Sequence, residues 1–355
     1  MKLDELRKKI DELDERIVEL IGERIKIAEE IGRGKKSQNK LIEDRERELQ
    51  VLQNVRGTAR DRKISPSDME SIYRQIVEAC KKIQTVAVAF QGEPGAYTEE
   101  AAFRFFGQST ESRPYPSLDE VFEAVELGQV PFAVVPVENS LEGSITRAYD
   151  LLLDSPLMVC GEIELRISHC LIANAETSLD AVRRVYSHPQ ALGQCRNFLR
   201  QLQCELIPAS DTAGSVRMIK EQGLKDSAAI ASARAAAIYG LKILAREIED
   251  NLHNFTRFFI LAKEDSPPTG HDKTSIVFSL KHKPGTLYGS LGVFASRNIS
   301  LTKLESRPTR HQPWEYNFYL DFTGHRQDKE AREALQELEE HAIFVKVLGS
   351  YPKAR

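Results

Sequence analysis

Cysteine is scarce in this chain, which has five in 355 residues and no two in a C-x-x-C pair. No histidine stands at the spacing of zinc ligands, so the sequence shows no structural zinc pattern. Scattered cysteines are typical of a reducing compartment, and we expect free thiols and a cytoplasmic protein. The five are Cys80, Cys160, Cys170, Cys195 and Cys204.

Long apolar runs are also missing. No stretch approaches about 18 uncharged apolar residues, and the amino terminus lacks an apolar signal region. The formal net charge is -4, so the chain has no global excess of positive charge for binding nucleic acid. We therefore expect neither a membrane nor a nucleic-acid partner.

The length of the chain suggests two or three domains, each with its own core. Changes in periodicity predict these domains at residues 1–85, 86–265 and 273–351. A linker at 262–272, rich in Pro, Gly and charge, precedes the last one.

The first domain is predicted to be all-α, with three helices and a long first helix. Its apolar residues follow alternating steps of four and three, interrupted at Arg24: Leu6, Ile10, Leu13, Ile17, Leu20, Ile27 and Ile31. Three helices alone cannot bury so long a stripe. We therefore expect two copies to intertwine as a homodimer, or as part of a higher homo-oligomer.

The second domain alternates short apolar strands, such as 86–90 and 132–137, with helices. We expect a two-lobed α/β fold like that of periplasmic binding proteins. Its lobes are predicted at about 86–165 plus 241–265, and at 166–240. The third domain orders its signals as βαββαβ, an α+β ferredoxin-like pattern.

Polar residues interrupt the apolar stripes of the helical domain. Buried unpaired, Arg24 would cost roughly several kcal/mol, so it either extends to solvent or meets an anion. Arg45 shares a stripe with two leucines, and Gln84 lies one turn beyond Cys80. Several inward polar groups of this kind indicate a ligand site.

This domain resembles the all-helical chorismate mutases, whose Arg, Arg, Lys, Arg-Glu and Gln pattern matches Arg7, Arg24, Lys35, Arg45, Glu46 and Gln84. The resemblance implies rearrangement of chorismate to prephenate, which needs no nucleophile, metal or cofactor. In that family the arginines grip two carboxylates, the Lys and Gln face the breaking ether bond, and the Glu binds the substrate hydroxyl. The first Arg reaches the partner protomer's site, which agrees with the expected dimer.

Two positions depart from the family pattern, because Cys80 replaces a Ser and Ile42 an acid that is sometimes present. Neither position carries the bond-breaking role. A phosphate loop at 32–37, GRGKKS, is a rival interpretation, but its glycine spacing is wrong and no strand precedes it.

In the second domain, polar segments recur where strands give way to helices: 92–98, 137–144, 186–194, 210–215 and 254–257. In open α/β sheets this edge binds ligands, and helix N-termini suit a small anion. Ser, Thr and Asp also cap helices for structural reasons. The recurrence favours a cleft between two lobes.

The segment NFTRF, residues 254–258, places an amide, a hydroxyl and a guanidinium before the apolar run 259–262. Spacing alone leaves a capped strand edge as the alternative to a ligand site.

Together these segments resemble prephenate dehydratase, and NFTRF follows that family's Thr-Arg-Phe signature. The implied reaction removes carbon dioxide and water from prephenate to give phenylpyruvate, so the departing hydroxyl needs a proton. Thr256 is the candidate for the donor of that proton or for its positioner. The family's other implicated positions match Glu138, Asn139, Ser187 and Gln194.

Arg257 is expected to bind the side-chain carboxylate of prephenate, because clamping the leaving carboxylate would oppose decarboxylation. His188 is a further candidate acid. A turn residue before Pro189 is the alternative interpretation of this histidine.

The third domain resembles the ACT regulatory domain of the dehydratases. ESRP at 305–308 matches its phenylalanine-binding motif, and GTLYGSL at 285–291 matches a second motif more loosely. We therefore expect L-phenylalanine as an allosteric effector, with a degenerate domain kept for dimer contacts as the alternative. The expected binding residues are Gly285, Thr286, Leu287, Glu305, Ser306, Arg307 and Pro308.

The three resemblances imply a bifunctional enzyme of phenylalanine biosynthesis, with chorismate and prephenate as substrates, feedback inhibition by phenylalanine and no cofactor. A mutase fused to prephenate dehydrogenase would need a G-x-G-x-x-G loop after a strand, which the sequence lacks. A non-catalytic two-lobed sensor is the alternative of another class, and the arginines of the helical domain count against it.

Overall fold

The computed structural model describes residues 3–37, 45–83, 86–309 and 315–354. Two compact units make up the chain, with three helices before residue 86 in one and three sheets in the other. No helix in these ranges is long and apolar enough to span a membrane.

The helical unit has the predicted long first helix and two shorter ones: α1 (Leu3–Ser37), α2 (Arg45–Asp61) and α3 (Pro66–Ile83). With 35 residues, α1 is about 52 Å long. Helix α3 begins at Pro66, where a missing N–H costs nothing, and the Ser65 hydroxyl accepts from the backbone N–H of Asp68. Helix α3 packs against both other helices.

Helix α1 leaves its apolar stripe uncovered. Its large apolar side chains are each at least 40% exposed: Leu3, Leu6, Ile10, Leu13, Ile17, Val18, Leu20 and Ile27.

The first α/β lobe contains a sheet with strand order β2-β1-β3-β11-β5, and β4 pairs with β3. Its elements are β1 (Ala87–Gln91), α4 (Tyr97–Phe106), β2 (Glu111–Tyr115), α5 (Leu118–Glu126), β3 (Phe132–Asn139), β4 (Gly143–Ser144), α6 (Thr146–Asp154), β5 (Met158–Arg166) and the returning β11 (Phe255–Ala262). Strand β11 runs antiparallel to both of its neighbours, β3 and β5. It is therefore an interior strand of the sheet.

The second lobe contains a sheet with strand order β10-β6-β9-β7-β8. Its elements are β6 (Cys170–Ala173), β7 (Arg184–Ser187), α7 (Pro189–Gln194), α8 (Arg196–Leu202), β8 (Glu205–Pro208), α9 (Thr212–Glu221), β9 (Ser227–Ala231), α10 (Ala233–Tyr239) and β10 (Lys242–Ala245). The return to the first lobe comes later than the predicted residue 241, because β10 pairs with β6.

The last sheet follows the predicted βαββαβ order: β12 (Asp272–Leu280), α11 (Thr286–Ala295), β13 (Leu301–Pro308), β14 (Tyr316–Thr323), α12 (Lys329–His341) and β15 (Ala342–Pro352). Its strand order, β13-β14-β12-β15, is that of a ferredoxin-like fold. Ile276 and Phe278 of β12 pack with residues of α11 and α12. The intervening Val277 points to the opposite face, as strand alternation requires.

The opposite face of this sheet shares a core with the first lobe. Val277, Tyr319 and Tyr351 belong to the same apolar cluster as Phe259 and Leu261 of β11. Strand β15 crosses β5 so closely that a Cβ at Gly349 would lie 2.1 Å from the carbonyl oxygen of Val159. The last domain is therefore packed into the α/β unit.

Candidate active sites

Strand β11 directs its polar residues to two faces. Side chains alternate along a strand, so Thr256 and Arg257 point in opposite directions. Thr256 is only 8% exposed, and Asn254, just before the strand, is fully buried. These three side chains therefore cannot all face one cleft.

On the first face, Asn139 of β3 lies opposite Thr256 in the strand register. The Asn139 Oδ1 accepts from the backbone N–H groups of Leu141 (3.0 Å) and Glu142 (3.1 Å), which fixes the orientation of the amide. Its Nδ2 therefore donates to Thr256 Oγ1 (3.0 Å) and to Asn254 Oδ1 (2.7 Å). Thr256 accepts in this contact, so its own hydroxyl hydrogen is left to donate elsewhere.

The second lobe contributes Gln194, the last residue of α7, to the same network. Asn254 Nδ2 donates to Gln194 Oε1 over 2.8 Å. On the other side of this oxygen lies His169 Nε2, at 3.0 Å. The structure thus brings the predicted Asn139, Gln194 and Thr256 together.

Sequence analysis missed His169, which precedes β6, and Tyr97, the first residue of α4. Their side chains lie 2.9 Å apart, between the Tyr97 hydroxyl and His169 Nδ1. His169 is 2% exposed, and burial lowers the pKa of its imidazole. No spacing signal relates them, because they are 72 residues apart in sequence.

On the opposite face of β11, Arg257 lies among carboxylates. Its guanidinium contacts Glu162 (2.7 Å), Asp321 of the last domain (2.6 Å) and the Tyr351 hydroxyl (3.0 Å). Burial works to lower the pKa of Arg257, but these neighbours outweigh it and raise the pKa. The contacts favour a structural link over the predicted binding of a substrate carboxylate.

Glu138 points to the same side as Arg257. It forms an ion pair with Lys303 of β13 at 2.9 Å and lies 3.8 Å from the Arg257 guanidinium. The structure therefore separates Glu138 from Asn139, its neighbour in sequence.

Ser187 is the last residue of β7, and His188 follows it as the N-cap of α7. The Ser187 side chain is fully buried and donates to the carbonyl oxygen of Ile230 at 2.7 Å, which favours a structural role. The His188 ring accepts from the backbone N–H of Gln190 at 3.3 Å and caps α7. This contact agrees with the interpretation of His188 as a turn residue.

In the helical unit, Arg24 faces α3. Its Nη1 donates to the thiol sulfur of Cys80 at 2.7 Å, and the side chain is half-buried. Arg7 is exposed and lies 3.7 Å from Asp4. The other four predicted mutase residues cannot be placed in a site. The described part of the chain does not include the side chains of Lys35, Arg45 and Glu46, and it does not include Gln84.

In the last domain, Gly285, Thr286 and Leu287 line a cavity of about 490 Å³. None of the predicted residues from 305 to 308 is among the described residues that line it. Glu305 instead accepts from the Ser144 hydroxyl, and Arg307 donates to the carbonyl oxygen of Thr146 at 2.8 Å. The second predicted motif therefore contacts the first lobe.

Comparison with protein families gives three matches. Residues 6–85 match chorismate mutase type II, residues 88–266 match prephenate dehydratase, and residues 274–340 match the ACT domain. A bifunctional chorismate mutase/prephenate dehydratase of Stutzerimonas stutzeri is 41% identical over 99% of this chain and 98% of its own. The chain belongs to this bifunctional family.

A second bifunctional chorismate mutase/prephenate dehydratase, from Aquifex aeolicus, is 40% identical over 99% of this chain and 98% of its own. Among solved structures, the prephenate dehydratase of Arthrobacter aurescens in complex with L-Phe has a TM-score of 0.70 and 32% identity. The match covers 76% of this chain and 90% of that one. The chain is thus a chorismate mutase and a prephenate dehydratase of phenylalanine biosynthesis, as the sequence predicted.

Proposed function

We propose that Thr256 is the hydrogen-bond donor to the hydroxyl that leaves prephenate. The observation that carries this assignment is the orientation of Asn139, whose Nδ2 donates to Thr256 Oγ1. With its lone pair engaged, the Thr256 hydroxyl is polarised to donate its hydrogen, and the departing oxygen gains negative charge as its bond breaks. Aromatisation of the ring then drives the loss of carbon dioxide.

Asn139 and Gln194 complete this site, with Asn139 orienting Thr256 and Gln194 presenting amide N–H groups to the substrate. Arg257, Glu138 and Ser187 hold the surrounding strands rather than the ligand, given the contacts that occupy them.

For the mutase step, Arg24 grips a chorismate carboxylate while Cys80 restrains its guanidinium. Arg7, Lys35, Arg45, Glu46 and Gln84 keep the roles that the family pattern gives them. A restrained cation stabilises the transition state without further reorganisation.

The two sites can be tested separately in one chain. Thr256→Val keeps the side-chain shape but removes the hydroxyl, and should lower phenylpyruvate formation at least about 100-fold while chorismate consumption persists. Arg24→Gln should lower chorismate consumption while the formation of phenylpyruvate from added prephenate persists. Thr146→Val, at an exposed position of the same lobe, is the matched control and should change neither rate. Equal loss of both activities in either test variant would overturn the two-site assignment.

The described helical unit also supports a homo-oligomer. The exposed stripe of α1 is apolar along most of a helix about 52 Å long, and a second copy of this helix would cover it. A homodimer in which α1 packs against its counterpart follows.

L-phenylalanine is the proposed effector, with the cavity at Gly285, Thr286 and Leu287 as one part of its site. The ACT match and the phenylalanine complex of the Arthrobacter aurescens relative support this assignment. Calorimetric titration with L-phenylalanine would measure this binding, and an absence of binding heat would contradict the proposal.

The domain limits 1–85, 86–265 and 273–351 are also proposed, and limited proteolysis should cut first between them.

All five cysteines are free thiols, which supports a reducing compartment such as the cytoplasm. Fractionation of cells would refute this location if the protein were found outside.

A further inference from the structure

A continuous series of hydrogen bonds extends behind Gln194, away from Thr256. His169 Nε2 lies 3.0 Å from Gln194 Oε1, and His169 Nδ1 lies 2.9 Å from the Tyr97 hydroxyl. The backbone N–H of His169 donates to Glu249 Oε2 at 2.8 Å, so the ring is anchored through its main chain as well. Tyr97 packs edge-on against the imidazole, with ring centroids 5.6 Å apart.

The donor and acceptor roles in this series follow from one fixed point. Two backbone N–H groups hold Asn139 Oδ1, so Asn139 Nδ2 is the donor to Asn254 Oδ1. Asn254 must then present Nδ2 to Gln194, whose accepting atom is Oε1. An oxygen without a hydrogen can only accept, so His169 Nε2 carries the proton and donates it.

A neutral imidazole with its proton on Nε2 has an accepting Nδ1, which suits the facing Tyr97 hydroxyl. That hydroxyl also lies 2.7 Å from the carbonyl oxygen of Ser168, so it can turn between two acceptors. Burial of the ring favours the neutral form, as the lowered pKa of His169 indicates.

We propose that His169 is a positioning residue of the dehydratase site, which holds Gln194 Oε1 so that the Gln194 amide N–H groups face the substrate. This inference rests on the proposed dehydratase site. The Oε1 atom is engaged by His169 on one side and Asn254 on the other, which locks the amide rotation. Its two N–H donors are thereby directed to the oxygen atoms of prephenate.

The arrangement also connects the two lobes. Tyr97 and Thr256 belong to the first lobe and Gln194 to the second, while His169 stands where the chain crosses between them. An error of about 1 Å in the placement of a catalytic donor can cost on the order of 100-fold in rate. His169 therefore fixes a second-lobe donor relative to a first-lobe hydroxyl.

Two substitutions at one position separate positioning from packing. His169→Leu introduces an apolar side chain of similar size that has no N–H. We expect it to lower kcat for phenylpyruvate formation about 10- to 100-fold, with a smaller change in KM. His169→Gln can place an amide N–H near the position of Nε2 and should keep kcat within about threefold of the parent. The melting temperature of the α/β unit reports intact folding, because the mutase residues lie in the other compact unit. His341→Leu, on the surface of α12, is the matched control.

A double-mutant cycle tests the route through Gln194. In a Gln194→Leu background, His169→Leu should cause no further loss of kcat, because the amide that it orients is gone. Multiplying losses would overturn the proposal, as would full activity of the single His169→Leu variant. Equal losses in the Leu and Gln variants, together with a lowered melting temperature, would show a packing role only and would also overturn it.

The tautomer is measurable without any assay of activity. Nitrogen chemical shifts of the full-length protein labelled at histidine should show His169 protonated on Nε2, and a ring protonated on Nδ1 alone would refute the proposal. This readout stands even if Thr256→Val proves active, so failure of the proposed dehydratase site and failure of the His169 assignment can be distinguished.

Discussion

At the scale of single residues, the proposed dehydratase site depends on the orientation of the Asn139 side-chain amide. Asn139 is held by the backbone N–H groups that follow it, and this local turn sets the direction of every hydrogen bond from Thr256 to His169. The sequence identified Thr256, Asn139 and Gln194 as polar residues at strand and helix ends. It could not identify His169, because its partners are 72 and 25 residues away.

Asn139→Asp replaces the amide that donates to Thr256 Oγ1 by a carboxylate of almost the same shape, which can only accept. A carboxylate oxygen in place of the amide Nδ2 would face Thr256 Oγ1 as an acceptor, so the hydroxyl would turn its hydrogen toward that carboxylate and away from substrate. We expect phenylpyruvate formation to fall about 100-fold, with chorismate consumption unchanged, in paired spectrophotometric assays.

Asn298→Asp, at an exposed position with φ of 57°, is the matched control for this charge change and should leave both rates alone. A fully active Asn139→Asp enzyme would show that Thr256 does not need an amide donor.

At the scale of elements, β11 serves two purposes because a strand has two faces. Thr256 joins the hydrogen-bond network of the proposed dehydratase site, while Arg257 and Phe259 pack toward the last domain. The order of strands and helices was predictable from hydrophobic periodicity. The partner of β10 was not, because pairing with β6 spans about 70 residues and leaves no local trace.

Asp321→Asn probes the second face of β11 from the last domain. The change removes the charge 2.6 Å from the Arg257 guanidinium, so a buried cation loses a partner. We expect the free energy of unfolding, measured in urea, to fall by about 3 kcal/mol, with a reduced rate of phenylpyruvate formation.

Asp328→Asn, at the start of α12, removes a charge from the same domain away from β11 and gives the baseline for comparison. Equal stabilities for the two variants would mean that the ion pair contributes nothing to the fold.

At the scale of the whole molecule, the described helical unit leaves an apolar surface exposed. The short helix α3 covers part of α1, but the apolar stripe of α1 stays exposed. The sequence indicated this imbalance, since the length of a helix and its periodicity are local properties. In the proposed dimer the surface that covers the stripe belongs to a second molecule, and such a contact leaves no local pattern in the sequence.

Ile17→Glu places a charge in the middle of the exposed stripe. Burying an unpaired carboxylate in a helix–helix interface is costly, so we expect monomers in sedimentation velocity at about micromolar concentration, and a loss of mutase activity. The adjacent Arg16→Glu puts the same charge beside the stripe and should still dimerise. An unchanged sedimentation coefficient for Ile17→Glu, or a monomeric parent, would refute the proposed dimer.

The close crossing of β15 over β5 at Gly349 bears on how such an enzyme can be freed from feedback control in metabolic engineering. Deleting the last domain would remove Val277, Tyr319 and Tyr351 from the core that they share with the first lobe. The apolar surface exposed in this way would favour aggregation. Relief of feedback inhibition is therefore better sought through point changes at the proposed phenylalanine site, at Gly285, Thr286 and Leu287, than through deletion of the domain. The regulatory domain therefore supplies part of the hydrophobic core of the first lobe.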